Sequence, residues 1–338
     1  MKINNKKKIR ARHDLLVMLA TYNEKNNITR MVNSISSLPI DCDILVVDDN
    51  SPDGTGKIVA DMTKRSKRIN LISRRGKLGV GSAHIEGIKY GYKNKYKKVL
   101  TLDCDFSHDP KLIPDILKLG KEFDIVTTNR FKKKEGLETW AIHRKLLTKV
   151  ARFLIYLFLG TPYDSTGAYR LYNIHKIDIE VFKKIKSVSY SFFWESMYLL
   201  WKNNFSITEK AIALPARTYG SSKMKIKDIF SSLFFLFSFF LKTIFLSKSI
   251  KVSNKEKYLN NRKNSEIEWD KYWSLKNKKK SEEHSSHFYD MIANIYRKYL
   301  IRPNLDRYIN KYFLPGSTLI HAGCGSGEVD TNIVNKMK

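Results

Sequence analysis

The chain has 338 residues, 42% of them hydrophobic, which is enough to fill the cores of about two domains and excludes global disorder. Its 62 Lys and Arg against 33 Asp and Glu leave a formal net charge of +29, which favours anionic partners: nucleic acid, anionic lipid or phosphorylated substrates. No RRM, zinc-finger or KH signature supports nucleic acid, and three scattered cysteines (Cys42, Cys104, Cys324) suit a reducing compartment rather than a disulfide scaffold or a metal centre.

The N-terminal stretch MKINNKKKIRARHD is basic, and the apolar run behind it, Leu15–Ala20, is too short for a secretory signal. It reads as a first strand, and the protein is expected in the cytoplasm or on the cytoplasmic face of a membrane. Further short runs rich in β-branched residues and Leu fall at Ile44–Val47, Asn70–Ser73, Lys98–Leu102 and Ile125–Thr128. Helical patterns lie between them, as at Asn27–Leu38 and Val80–Tyr92. That alternation predicts an α/β domain with a mainly parallel sheet and helices on both faces. Such sheets bind ligands beyond the carboxyl ends of their strands. Those ends carry Thr21, Tyr22 and Glu24, then Asp48 and Asp49, then Asp103 and Asp105. Residues 62–98 hold twelve Lys or Arg and a single acid, Glu86, a strong local positive field.

The loop TLDCDFSHDP, residues 101–110, gathers acids in this basic chain. Asp103 and Asp105, two residues apart on a turn, can share a divalent cation through oxygen ligands. The competing reading is a helix start, with Asp109 as cap and Pro110 in the first turn. Farther on, residues 225–247 form a Phe- and Leu-rich segment whose Asp228, Ser231, Ser232, Ser238 and Lys242 fall on one arc of a helical wheel. A narrow polar stripe on a greasy helix suits one embedded in a membrane interface; the alternative is a helix packed on the core. Residues 248–264 are polar and Lys/Asn-rich and read as a linker, and a new periodic region occupies 265–338.

Six blocks (ATYNEKNNI, ILVVDDNSPDGTGKIV, LGVGSAHIEGIKYG, LDCDFSHDP, DSTGAYRLY and RTYGSSKM) occur in the order found in dolichol-phosphate mannosyltransferases. Over roughly residues 14–224 the chain resembles these family 2 glycosyltransferases, which implies the GT-A fold, a Rossmann-like α/β architecture, for residues 1–224. The resemblance implies that Asp103 and Asp105 bind Mg²⁺ or Mn²⁺ on the diphosphate of a nucleotide-sugar donor, with GDP-mannose the expected one. It places Ala20, Tyr22, Glu24, Val47 and Asp49 around the nucleoside, and Cys104 within the donor-binding loop. Tyr22 can stack on the base, while Glu24 and Asp49 can accept hydrogen bonds from it or from the ribose. Arg130, Arg144, Arg217 and Lys223 stand where relatives bind donor and acceptor phosphates, and Asp105, Arg130, Arg217 and Lys223 are the expected catalytic set. Each of these cations has a structural alternative, Arg130 as the partner of a neighbouring acid. Asp164 and Arg170 are expected to form an internal ion pair, and His108 and His143 to be hydrogen-bonded structural residues, the alternative being contact with substrate. The implied acceptor is a polyprenyl phosphate at an anionic membrane surface. Its oxygen is already anionic, so it needs positioning beside cations rather than a general base.

The tail segment LIHAGCGSGEVD resembles the first motif of class I S-adenosylmethionine-dependent methyltransferases, with a strand running into Gly323, Gly325 and Gly327. The strand whose acid would hold the ribose does not follow before Lys338, and a separate chain would be the partner that completes the domain. The expected activity is therefore inverting, metal-dependent hexosyl transfer to polyprenyl phosphate. Its rivals are another sugar or acceptor, such as glucose on the same carrier or a glycan acceptor, methyl transfer through the tail, and a non-catalytic membrane scaffold.

Overall fold

Each of the five apolar runs forms a strand in the computed structural model, which describes residues 13–215 and 226–245. Strand and helix alternate through β1 (Leu15–Thr21), α1 (Lys25–Ser36), β2 (Cys42–Asp48), α2 (Thr55–Arg65), β3 (Ile69–Ser73), α3 (Val80–Lys93) and β4 (Lys98–Asp103). The chain continues through α4 (Ile113–Leu119), β5 (Ile125–Asn129), α5 (Ile142–Leu159), β6 (Arg170–Tyr172), α6 (Ile179–Lys183), α7 (Phe192–Lys202), β7 (Ile207–Ala211) and α8 (Ile226–Phe245). The tail 265–338, with its three glycines, and the expected site residues Arg217 and Lys223 lie outside the described residues, as does the linker.

The strands form one seven-stranded sheet in the order β3-β2-β1-β4-β6-β5-β7. All neighbours are parallel except at β6, which runs antiparallel to both β4 and β5. The mixed α/β architecture with a mostly parallel sheet is the one the alternation predicts.

Period-two alternation sorts the core into two layers. On β1, Leu16 and Met18 face one side, while Leu15, Val17 and Leu19 face the other. The second side is covered by α1, α2 and α4. Helix α1 supplies Ile28, Met31, Val32 and Ile35, the i, i+3, i+4, i+7 spacing of a buried helical stripe. The first side packs against α3 and α5–α8, with an aromatic cluster of Phe182, Phe192, Phe193, Trp194 and Tyr198. Leu236 and Phe239 of α8 close this layer from outside, with the Phe239 ring 5.5 Å from both Trp194 and Tyr198.

Helix α8 falls where 225–247 predicts a helix, but its polar arc does not all face water. Ser232 bonds the Ser191 hydroxyl at 2.8 Å and accepts from the Trp194 indole at 3.4 Å, so part of the stripe fastens the helix to α7. The outward face is apolar: Phe230 is 67% and Phe234 76% exposed, followed by Phe237 and Leu241. Helix α5, which packs beside α8, adds exposed Leu146, Val150, Phe153 and Leu157. Among the described residues, no helix is long and apolar enough to cross a membrane.

Candidate active site

The acidic loop follows β4 at the carboxyl edge of the sheet. Phe106 takes φ of 61°, in the left-handed region that a bulky residue rarely occupies. This turn folds the chain back, so the Ser107 N–H and hydroxyl both donate to Asp105 Oδ1, at 3.0 and 2.6 Å. His108 Nδ1 accepts the Asp103 N–H at 2.9 Å. His108 Nδ1 also lies 3.6 Å from the Asp103 carboxylate. His108 ties the loop through its bond with the Asp103 N–H, and Asp109 caps the next turn by accepting from Lys111 N–H. The helix-start reading of the loop is therefore realised at Asp109. The Cys104 thiol is pushed well up by burial, then by Glu24, Asp105 and Asp103, and stays protonated.

A cavity of about 970 Å³ opens in front of this loop. Asp103, Cys104 and Asp105 line it, with Ala20, Tyr22 and Glu24 from the end of β1 and Asp49 from the end of β2. Strand register explains the gathering, since Ala20 pairs with Asp103 on one side and Val47 on the other. Val47 itself is fully buried and does not reach the wall; it supports Ala20 from the neighbouring strand. Asp48 is also absent from the wall, because its carboxylate accepts from Thr21 and Ser51. Asp49 faces the cavity while its two oxygens take Arg74 and the Gly79 N–H. Burial raises its carboxyl, with the Arg74 charge and the Gly79 N–H opposing.

Arg130 and Arg144 reach the cavity from the far side of the loop. The expected ion pair of Asp164 with Arg170 is not formed. Asp164 instead grips Arg130 at both ends, Nε to Oδ2 at 2.9 Å and Nη2 to Oδ1 at 3.1 Å, and Thr166 joins them. Burial pushes the Asp164 carboxyl up, but the Arg130 charge and the hydrogen bonds outweigh it and hold the group below the usual range. Arg170, fully buried in β6, donates to Ser196 Oγ at 3.0 Å and to the Ser165 carbonyl at 2.9 Å, supporting the same loop through neutral groups. The reason is positional: Arg130 leaves the end of β5 at the level of the 164–167 loop, whereas Arg170 points into the layer beneath. Arg144 stacks on Trp140, its guanidinium 3.8 Å from the ring centroid. His143 lines the cavity as well.

The remaining wall was not legible as a site. It is apolar and comes from Leu147, Val150, Leu154 and Ile155 of α5, Phe193 and Trp194 of α7, and Leu233 and Leu236 of α8. Their spacing says amphipathic helix, which is equally the signature of core. Acids and cations from the sheet-edge loops and apolar side chains of α5, α7 and α8 thus line a single cavity, to which α8 also contributes Lys227, Asp228 and Ser232.

Residues 16–179 match the family model "Glycosyl transferase family 2". Over these residues the chain is similar to the family 2 glycosyltransferases. It is 29% identical over 232 residues to a polyprenol monophosphomannose synthase of Mycolicibacterium smegmatis, covering 67% of this chain and 86% of the relative. It is 28% identical over 214 residues to an undecaprenyl-phosphate mannosyltransferase of Micrococcus luteus, covering 62% of this chain and 87% of that one. The fold is similar to that of mannosyl-3-phosphoglycerate synthase from Rubrobacter xylanophilus, with a TM-score of 0.50 at 17% identity over 68% of this chain and 74% of that one. The chain is a hexosyltransferase with a GT-A-like, mostly parallel sheet, and the acidic loop stands at the edge of that sheet.

Proposed function

We propose that the protein transfers mannose from GDP-mannose to a polyprenyl phosphate at the cytoplasmic face of the membrane, with inversion at the anomeric carbon. The observation that carries this reading is the continuity of the cavity, which joins a paired-carboxylate loop to an apolar helical wall. A nucleotide sugar fits the first and a prenyl chain the second. The names of the two curated relatives support the same acceptor and sugar.

Among the described residues no cluster of three or more His, Cys, Asp or Glu could hold a metal ion. Two aspartates at a cavity mouth nevertheless fit Mg²⁺ or Mn²⁺, since a hard cation of this kind is held by one or two carboxylates plus substrate phosphate oxygens. Bound there, it supplies Lewis-acid compensation for charge on the departing nucleoside diphosphate. Asp103 and Asp105 would hold it. Tyr22 offers the base a ring face, with Glu24 and Asp49 alongside. Arg130 and Arg144, with Arg217 and Lys223, would hold phosphates of donor and acceptor. Asp164 fixes the Arg130 fork so that its remaining edge faces the cavity. A lipid phosphate oxygen attacks the anomeric carbon as the bond to the nucleotide phosphate oxygen breaks, and no side chain has to remove a proton.

The exposed faces of α5 and α8 support a peripheral seat on the bilayer. Lys145, Lys149 and Arg152 lie among the α5 residues, suited to anionic headgroups. The deciding experiment incubates purified protein with polyprenyl phosphate, Mn²⁺ and a panel of labelled nucleotide sugars, with products read by mass spectrometry. Mannosyl phosphoryl polyprenol formed from GDP-mannose is expected. Transfer of another hexose would change the donor assignment, and no transfer to any polyprenyl phosphate would overturn the acceptor.

A further inference from the structure

Lys77 lies on the loop between β3 and α3, exposed at the rim of the cavity. Its ammonium sits over the Tyr22 ring, 4.3 Å from the centroid. Among the described residues no carboxylate lies within 4.0 Å of it. The backbone that carries it is tied down at both ends. Arg74 bonds Asp49 and Ser82 and lies 3.2 Å from Glu86. At the other end the Gly79 N–H donates to Asp49 Oδ2 at 3.1 Å, with Gly79 at φ of 99°. An added Cβ there would stand 2.4 Å from the Val188 carbonyl oxygen, so the loop packs closely on residue 188 at this position and only glycine fits. A fixed loop therefore presents one long cationic side chain to the cavity. Tyr22 continues β1 just past Ala20, the register partner of Asp103, so the lysine faces the mouth of the acidic loop.

We infer that Lys77 is a donor-binding residue that covers the Tyr22 ring when the site is empty and pairs with the donor diphosphate once the base takes that ring. The inference rests on the nucleotide-sugar reading above. Two magnitudes make the exchange favourable. An exposed cation–π contact shifts an equilibrium by only about two- to fivefold, so a base displaces the ammonium easily. An ammonium–phosphate contact is charge-assisted and worth about tenfold or more. Moving the ammonium from ring to phosphate thus replaces a weak contact with a strong one, while the ring gains a stacked base.

The two roles have opposite signs, and that separates them from a structural role. Isothermal titration of the full chain with Mn²⁺ present would compare GDP with guanosine for wild type, Lys77→Ala and Lys77→Arg. Lys77→Ala is expected to weaken GDP about tenfold and to leave guanosine unchanged or tightened by about two- to fivefold. Lys77→Arg, which keeps the charge, is expected to restore most of the GDP affinity. A Lys77→Ala chain that binds both ligands like wild type, or loses both in parallel, overturns the inference and leaves the donor reading standing. A wild-type chain that binds no nucleoside diphosphate overturns the donor reading, and this inference with it.

Discussion

Asp103 and Asp105 share a loop but not a setting. The Asp103 side chain is 38% exposed toward the cavity, whereas Asp105 is 3% exposed and held by Ser107. Asparagine keeps the shape and an acceptor oxygen at either position but removes the charge that the proposed cation would need. Asp103→Asn and Asp105→Asn should each lower transfer at saturating donor by about 100-fold or more, with urea midpoints near wild type. A near-normal rate in either would remove that residue from the metal site. His84 makes a different test. It is fully buried between Phe192 and Phe193, and burial, then Arg170 and His108, lower its pKa from 6.5 to about 3. The unfolded chain therefore takes a proton below pH 6.5 that the folded chain refuses. The stability linked to this group is present above 6.5 and lost as pH falls toward 3. Between pH 7 and 5 the loss is about 2 kcal/mol. Urea unfolding at both pH values should show a drop of that size in wild type beyond that in His84→Leu; equal drops would refute it.

At the scale of elements, α5 and α8 together present Leu146, Val150, Phe153, Phe230, Phe234 and Phe237 to the outside. If this face seats in a bilayer, Phe234→Glu should weaken binding to anionic vesicles about tenfold or more while leaving the fold intact, since burying one such side chain is worth about 1.5–3 kcal/mol. Co-sedimentation with vesicles reads this directly, and unchanged partition would place the membrane contact elsewhere. The same helices show where sequence reading stops. β1 to β5 were legible because short apolar runs ended in acids and turns, and Tyr22, Glu24, Asp49 and the Asp103–Asp105 pair follow from those ends. β6 is three residues long, too short for a period, and it reverses direction. Which acid holds Arg130 depends on where the 164–167 loop lands in space, and no spacing encodes that. The polar arc of α8 was visible, but a hydroxyl that faces water and one that bonds Ser191 look alike in one dimension. The cavity wall of α5 carries the same spacing as core.

At the scale of the molecule the sheet has two unequal halves. β3, β2, β1 and β4 arise from consecutive strands within residues 15–103, each joined to the next by a helix. The other half cannot follow in sequence. β5 has no neighbour until β6, some 40 residues later in the chain, slots between it and β4, and β7 then adds to β5. Loop closure makes such a late strand the slow and labile part. The acidic loop hangs on the first half, whereas Arg130 and Asp164 belong to the second. The seam between what assembles early and what assembles late therefore runs through the active site. Hydrogen exchange should find the amides of β5 and β6 opening together, ahead of β1 and β2; uniform protection across all four would contradict this. Mild denaturant should then abolish transfer while the first half remains closed, because a three-residue clasp disarms the enzyme before it unfolds it.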